Sequence, residues 1–208
     1  MRIAIIGGGG HAKVVVDAIL AAGRDEISAI LDDNPALWGK TLLGCPILGP
    51  IDSWGDYSFD ACVIGIGDNV NRKREFDKLA GAAVRLATIV HPSSTCGRDV
   101  ELGDGVMIFA HVVVNSGARI GSNTILNTAS TVDHDCEIGP HCHLAPAVNL
   151  AGEVRLGEGV LAGIGAKIAP RVSVGEWATI GAGAVVTRNV GARSTVVGIP
   201  ARPIAREA

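Results

Sequence analysis

His134 lies in the run Thr131-Val132-Asp133-His134-Asp135-Cys136, with a carboxylate on each side, and His141 and His143 follow within nine residues. A neighbouring carboxylate raises imidazole basicity and selects one tautomer. An imidazole so placed suits general-base work, which is most efficient when the pKa lies near the working pH. A lone surface histidine is most often only solvated. Four of the six histidines, however, fall from residue 111 onward.

A second group opens the chain. Gly7-Gly8-Gly9-Gly10-His11-Ala12 follows the apolar run Ile3 to Ile6 and precedes a helical pattern from His11 to Ala22, and Asp32 and Asp33 come about twenty residues later. Such a strand–glycine–helix turn offers backbone amides to phosphate, and an Asp at the end of the next strand suits ribose hydroxyls. Gly67-Asp68-Asn69 with Arg72, after a third apolar run, belongs at the same sheet edge. Ordinary loop chemistry would instead make Asp68 a helix cap and Arg72 a solvated face.

The elements that position these residues differ between the two halves. From Val90 to Val186 one aliphatic or small apolar position returns every sixth residue, through Cys96, Leu102, Ile108, Val114, Ile120, Leu126, Val132, Ile138, Leu144 and onward. A companion four residues later is nearly always small, as in Ala118, Thr124, Ser130, Cys136 and Cys142. Even spacings place both series on one side of extended backbone. Frequent glycines after the aliphatic position oppose a helix. A fixed short period predicts stacked coils sharing one core. Three hexapeptides make one turn of the left-handed parallel β-helix that this pattern resembles. Residues 1–85 lack that phase and alternate strand and helix patterns (Ile27 to Leu31, Ala61 to Ile66, Val70 to Leu79, Val84 to Thr88), which predicts an α/β Rossmann-like βαβ domain followed by an all-β domain over 86–208.

The phase arbitrates among chemistries. His134, Cys136, His141, Cys142 and His143 are all of zinc-ligand type. Cys136 and Cys142 fall on the inward series, whereas His134 comes two residues after an inward aliphatic, at an outward corner. The γ-class carbonic anhydrases share the coil and use histidines five residues apart, a spacing absent here. We therefore expect no metal. An inward cysteine has a raised pKa and no room for substrate, which disfavours a cysteine nucleophile.

The net charge of −3 with few aromatics excludes the footprint of a nucleic-acid binder. No apolar stretch reaches the length of a membrane span, and the N-terminal one is too short for a signal peptide, so a cytoplasmic protein is expected. Five cysteines, three of them on the inward series, predict free thiols.

Gly-Gly-Gly-Gly-His-Ala-Lys-Val-Val at 7–15, Asp32-Asp33, Ile66-Gly67-Asp68-Asn69, Val90-His91-Pro92-Ser93, Leu126-Asn127-Thr128, Val132-Asp133-His134-Asp135-Cys136 and Gly198-Ile199-Pro200-Ala201-Arg202 together resemble the bacterial nucleotide-sugar acetyltransferases of the hexapeptide-repeat superfamily. These act on UDP-4-amino sugars in protein glycosylation or on GDP-perosamine in O-antigen assembly, and sialic acid O-acetyltransferases belong to the same group. The resemblance implies acetyl-coenzyme A as co-substrate, a nucleotide-linked amino sugar as acceptor, and a homotrimer with active sites between subunits.

By position, the resemblance makes His134 the general base, Asp135 its acidic support and Asn127 a polar residue of the cleft. His143 and, along later coils, Gly152, Ile164, Gly165 and Ala182 correspond to coenzyme contacts. Gly9, Gly10 and His11 match the phosphate-facing turn, Asp32 and Asp33 the residues beside base or ribose, and Gly67 a close backbone approach. Asp135 stands where some relatives carry Glu, which leaves its reach to His134 for the structure to decide. Three other readings compete: O-acetylation of a sialic acid or another sugar hydroxyl, a non-catalytic nucleotide-sugar scaffold, and an NAD enzyme. The first domain has half the length of a dinucleotide fold, which argues against NAD.

Overall fold

In a computed structural model that describes residues 1–204, the chain divides into two compact units, Met1–Pro92 and Ser93–Ala208. The first contains β1 (Arg2–Ile6), α1 (Gly10–Ala22), β2 (Glu26–Leu31), β3 (Thr41–Leu42), β4 (Cys45–Gly49), β5 (Ala61–Ile64) and α2 (Asn69–Gly81). The sheet order is β3-β4-β2-β1-β5, with β1 parallel to both β2 and β5. The chain thus leaves β1 on opposite sides, and the turn at Gly7–Gly10 sits at the topological switch point, where open α/β sheets bind ligands.

Ile3 to Ile6 are fully buried, and α1 covers the sheet with Ala12, Val15, Val16 and Ile19, the 3.6-residue stripe its sequence carries. Gly23, at φ 65°, ends α1 by donating its N–H to the carbonyl of Ile19. Beyond residue 85 the chain still belongs to this unit. Leu86 bridges Cys62, and the Ala87 amide donates to the Cys62 carbonyl at 2.7 Å. The expected strand over Val84 to Thr88 is reduced to that bridge. The hairpin of β3 and β4, turning at Leu43 and Gly44 with φ of 49° and 84°, has no counterpart in the sequence pattern. Its two-residue strand is too short to show a period.

The second unit is a left-handed parallel β-helix, built of two-residue strands as far as Val186. Within that run strands pair three apart, as in Val113↔Thr131↔Asn149 and Ile125↔His143↔Leu161. Three strands make one triangular turn. Ile120, Leu126, Val132, Ile138 and Leu144 point inward and are buried, with Ala118, Thr124, Ser130, Cys136 and Cys142 beside them. The corners carry a left-handed residue every sixth position, including His111, Asn123, Ala129, Asp135, His141 and Ala147 with φ of 57–60°. Such backbone costs a non-glycine residue about 1–2 kcal/mol, which the repeated ladders and continuous core offset.

One expectation fails at the start of the repeat, and the coil changes at its end. Cys96 is exposed rather than inward, because its strand is the terminal member of its sheet in the first coil. After Val186 the register slips: Val174 is bridged by Val190, whereas a full coil would carry it to Ala192. Among the described residues no helix is long and apolar enough to cross a membrane.

Candidate functional site

His134 occupies a corner between the strands Thr131–Val132 and Glu137–Ile138. Its side chain is 55% exposed, and Nδ1 lies 2.9 Å from Oδ2 of Asp135. A carboxylate can only accept, so Nδ1 carries the proton and Nε2 the lone pair. The Asp135 hydrogen bond is the main cause that holds the His134 pKa above its ordinary value, with the charges of Asp133, Asp135 and Glu153 acting in the same direction. The shorter Asp135 therefore reaches the imidazole as a Glu would.

Two further residues hold this corner. The Asp133 Oδ1 atom accepts the His134 backbone N–H at 2.7 Å and the Asn115 Nδ2 at 2.8 Å. Those two bonds, that from Asn115 foremost, lower the Asp133 pKa and keep it ionised. On the next coil, a Cβ at Gly152 would meet Nε2 of His134 at 2.5 Å. The imidazole thus lies against bare backbone, and glycine is needed there to admit the ring. No local signal marks Asn115 in the sequence, because it lies one full turn of the coil before Asp133.

Of the coenzyme candidates, Gly152 thus lies at the His134 corner, and the others lie elsewhere on the triangle. Asn127 follows the strand Ile125–Leu126 and begins a different corner from that of His134, with the sheet of Thr131–Val132 between them. Its Nδ2 is 3.2 Å from Nε2 of His143, and its Oδ1 accepts the Thr128 amide. One chain thus seats Asn127 with His143 rather than with His134. Ile164, Gly165 and Ala182 share the Asn127 corner. Ile164 is 58% exposed, Ala182 is exposed, and Gly165 has φ +69° with open space where a side chain would be.

The remaining candidates of that cluster are structural. His141 and Asn123 are buried together with Nδ1 and Nδ2 2.8 Å apart, so the coil does use one histidine for packing. The thiols of Cys136 and Cys142 donate to the Ala151 and Gly157 carbonyls. Burial pushes the Cys136 thiol up to about 11, which removes it as a nucleophile.

In the first unit, a side chain at Gly9 or Gly10 would meet open space, and no side chain caps the start of α1. The amides of that 13-residue helix therefore face a clear approach with the positive end of the dipole behind them. Gly7, at φ +94°, could not carry a Cβ, which would lie 2.7 Å from Ile66. His11 packs on Gly67, whose Cβ position is 3.6 Å from that of His11.

Asp32 and Asp33 use their carboxylates to tie neighbouring loops together. Asp32 accepts the Gly8 amide at 2.6 Å and the Asn34 amide at 2.8 Å, and Asp33 accepts the Ile51 amide at 2.9 Å. The Asp32 carbonyl accepts Nε1 of Trp38 at 2.7 Å, leaving that indole 41% exposed at the sheet edge. Asp68 caps α2 by accepting the Asn71 amide, which is ordinary loop chemistry. Arg72 is no solvated face. It is completely buried, with Nη1 donating to the Gly67 carbonyl at 2.9 Å and Nη2 to Asn69 at 2.8 Å, so it clamps the loop after β5.

Comparison with known proteins agrees with this two-part construction. The PglD N-terminal domain family matches residues 2–79, and the bacterial transferase hexapeptide family (six repeats) matches residues 153–188. The chain is 30% identical to GDP-perosamine N-acetyltransferase of Escherichia coli O157:H7 over 191 residues, 92% of this chain and 71% of that protein. The crystal structure of PerB from Caulobacter crescentus in complex with CoA and GDP-perosamine superposes with a TM-score of 0.92 at 37% identity, covering 99% of this chain and 98% of that one. The acetyltransferase domain of PglB from Neisseria gonorrhoeae FA1090 in complex with acetyl coenzyme A gives a TM-score of 0.93 at 33% identity over 98% of both chains. The chain spans 33%, 71% and 43% of the length of the first three curated relatives it matches.

Proposed function

Because this chain belongs to the hexapeptide-repeat N-acetyltransferase family that includes GDP-perosamine N-acetyltransferase, we propose that it transfers the acetyl group of acetyl-coenzyme A to the 4-amino group of a nucleotide-linked amino-deoxy sugar in bacterial surface glycan or glycoprotein biosynthesis. The observation that carries this reading is the exposed His134 with Nδ1 held by Asp135 at 2.9 Å and Nε2 bearing the lone pair. The sugar amine attacks the thioester carbonyl, and Nε2 takes the proton that the new C–N bond makes acidic. Collapse of the tetrahedral intermediate breaks the C–S bond, and the departing thiolate takes that proton back from the imidazolium. No covalent enzyme intermediate is required. The nucleotide binds at the open start of α1, where Gly9 and Gly10 leave the amides clear.

The active form is a homotrimer with its sites between neighbouring coils. Support comes from the distribution of residues around one triangle, where His134 and Gly152 share one corner while Asn127, Ile164, Gly165 and Ala182 share another. A neighbouring subunit can set one corner against the other. A C3 assembly repeats that contact three times and closes.

Mass spectrometry after incubation with acetyl-coenzyme A and a panel of UDP-, GDP- and dTDP-linked 4-amino-6-deoxy sugars tests the reaction. Acetylation of one nucleotide amino sugar is expected, with His134→Ala reducing turnover by about 10²-fold or more. Acetylation of free sialic acid alone would replace this reading with O-transfer. Silence across the panel without coenzyme binding would leave a scaffold.

A further inference from the structure

We propose that Gly117 is a positioning residue of this enzyme: by lacking a side chain it provides the place from which the Asp135 carboxylate holds His134. The inference rests on the acetyl-transfer reading, in which His134 is the base.

The left-handed corner that carries Asp135 recurs once per coil, and its successive rungs are Asp99, Gly117, Asp135, Glu153 and Arg171, with φ of 58°, 74°, 57°, 60° and 61°. Four of the five rungs bear side chains in the same backbone conformation. The coil itself therefore does not demand glycine at 117. What sets this rung apart is its neighbour one turn on, since a Cβ on Gly117 would lie 2.6 Å from Oδ1 of Asp135. The Asp135 side chain folds back over the preceding coil with Oδ1 above Gly117 and Oδ2 on the imidazole.

The consequence of filling that space follows from which atom is in the way. Oδ1 is the tip of a flexible side chain that is 66% exposed, so Asp135 can swing into solvent while the backbone stays. The ladder bond from the Gly117 amide to the Arg98 carbonyl, 3.1 Å, involves no side chain and remains. An added methyl group is thus cheap for the fold and costly for the pair. Glycine at 117 and glycine at 152 act on opposite members of that pair, one beside the carboxylate and one beside the ring.

The charged groups around His134 are Asp133, Asp135 and Glu153. The atoms nearest the space above Gly117 are those of Asp135. The test is an NMR titration of His134 in the wild type, Gly117→Ala, Asp135→Asn and the double variant, with pH–rate profiles of each. Gly117→Ala is expected to lower the His134 pKa toward that of Asp135→Asn, which also loses the charge, to reduce kcat about 10-fold with KM unchanged, and to add nothing in the double variant. Replacing Asp135 by Glu in the Gly117→Ala background, one methylene longer, is expected to restore both readouts. A Gly117→Ala protein whose His134 titrates as in the wild type overturns the inference. Gly117→Asn fills the same space with a residue that tolerates left-handed backbone, and serves if the alanine variant is unstable. Failure of the wild type to acetylate any amino sugar would instead overturn the acetyl-transfer reading, while the titration still judges the link from Gly117 to His134.

Discussion

Asp135 is bound to the residue immediately before it: its Oδ2 accepts the proton of His134 Nδ1 at 2.9 Å. Adjacent side chains on extended backbone point to opposite faces. The pair can meet only because Asp135 adopts φ 57° at the coil corner, which turns its carboxylate back toward the imidazole.

This pairing sets a pH dependence. His134 works as a base only when neutral, and the Asp135 bond raises its pKa, so kcat should climb through that raised pKa as pH increases. Asp135→Asn removes the charge that favours the imidazolium. The acid limb of the profile is expected to move to lower pH, and the plateau rate to fall with the weaker base. A profile with an unmoved acid limb would show that Asp135 does not tune His134.

Gly152→Ala is expected to lower turnover by about 10²-fold, the cost typical of displacing a reacting group by about 1 Å. The added Cβ would sit 2.5 Å from the proton-accepting Nε2, and the 55%-exposed ring can yield only by swinging outward. Single-turnover rates with both substrates saturating check this. A rate near that of the wild type would place the working imidazole elsewhere.

Trp38 is 41% exposed beside the glycine turn, and its indole is expected to stack on the nucleotide base. Its indole N–H is already used by the Asp32 carbonyl, and the same Asp32 binds the Gly8 amide in the glycine turn, so one residue ties the ring to the proposed phosphate site. Base–aromatic stacking contributes about 1–3 kcal/mol. Trp38→Ala should raise KM for the nucleotide sugar about 10-fold and leave KM for acetyl-coenzyme A unchanged. Quenching of tryptophan fluorescence by the nucleoside diphosphate, lost in the variant, gives a check that needs no turnover.

Ser130 and Leu126 separate core packing from polar burial. The Ser130 hydroxyl is fully buried and has no hydrogen-bond partner among the described residues, so Ser130→Ala should leave stability unchanged or raise it by about 1 kcal/mol. Leu126→Ala, at an equally buried inward position, should cost about 3 kcal/mol. Denaturant midpoints of the two variants measure the contrast. A marked loss in Ser130→Ala would mean that its hydroxyl has a partner.

The period of six determined the coil, because inward and outward positions on extended backbone are a property of local spacing. It placed Cys136 and Cys142 inside and His134 outside without any knowledge of the third dimension. The alternation of apolar runs with helical stripes likewise determined the parallel sheet and the glycine turn at the end of β1. That carboxylates flank His134 was legible as well, since Asp133 and Asp135 are its neighbours in the chain, whereas the left-handed corner decided that Asp135 holds the ring.

Relations across turns were left to the tertiary structure. Asn115 reaches Asp133 across a full coil and Asn127 reaches His143 across nearly one, separations that acquire meaning only once strands stack in register. Burial also decided a choice the sequence left open: Arg72 is not a solvated helix face, because the loop carbonyls at Ile66 and Gly67 take its donors and draw it inside. Cys96 has the inward phase of the repeat but lies on a terminal strand, where the core that phase points to is incomplete. A sequence specifies which way each side chain faces along its own strand, whereas the atoms waiting there are supplied by coils and loops distant in the chain.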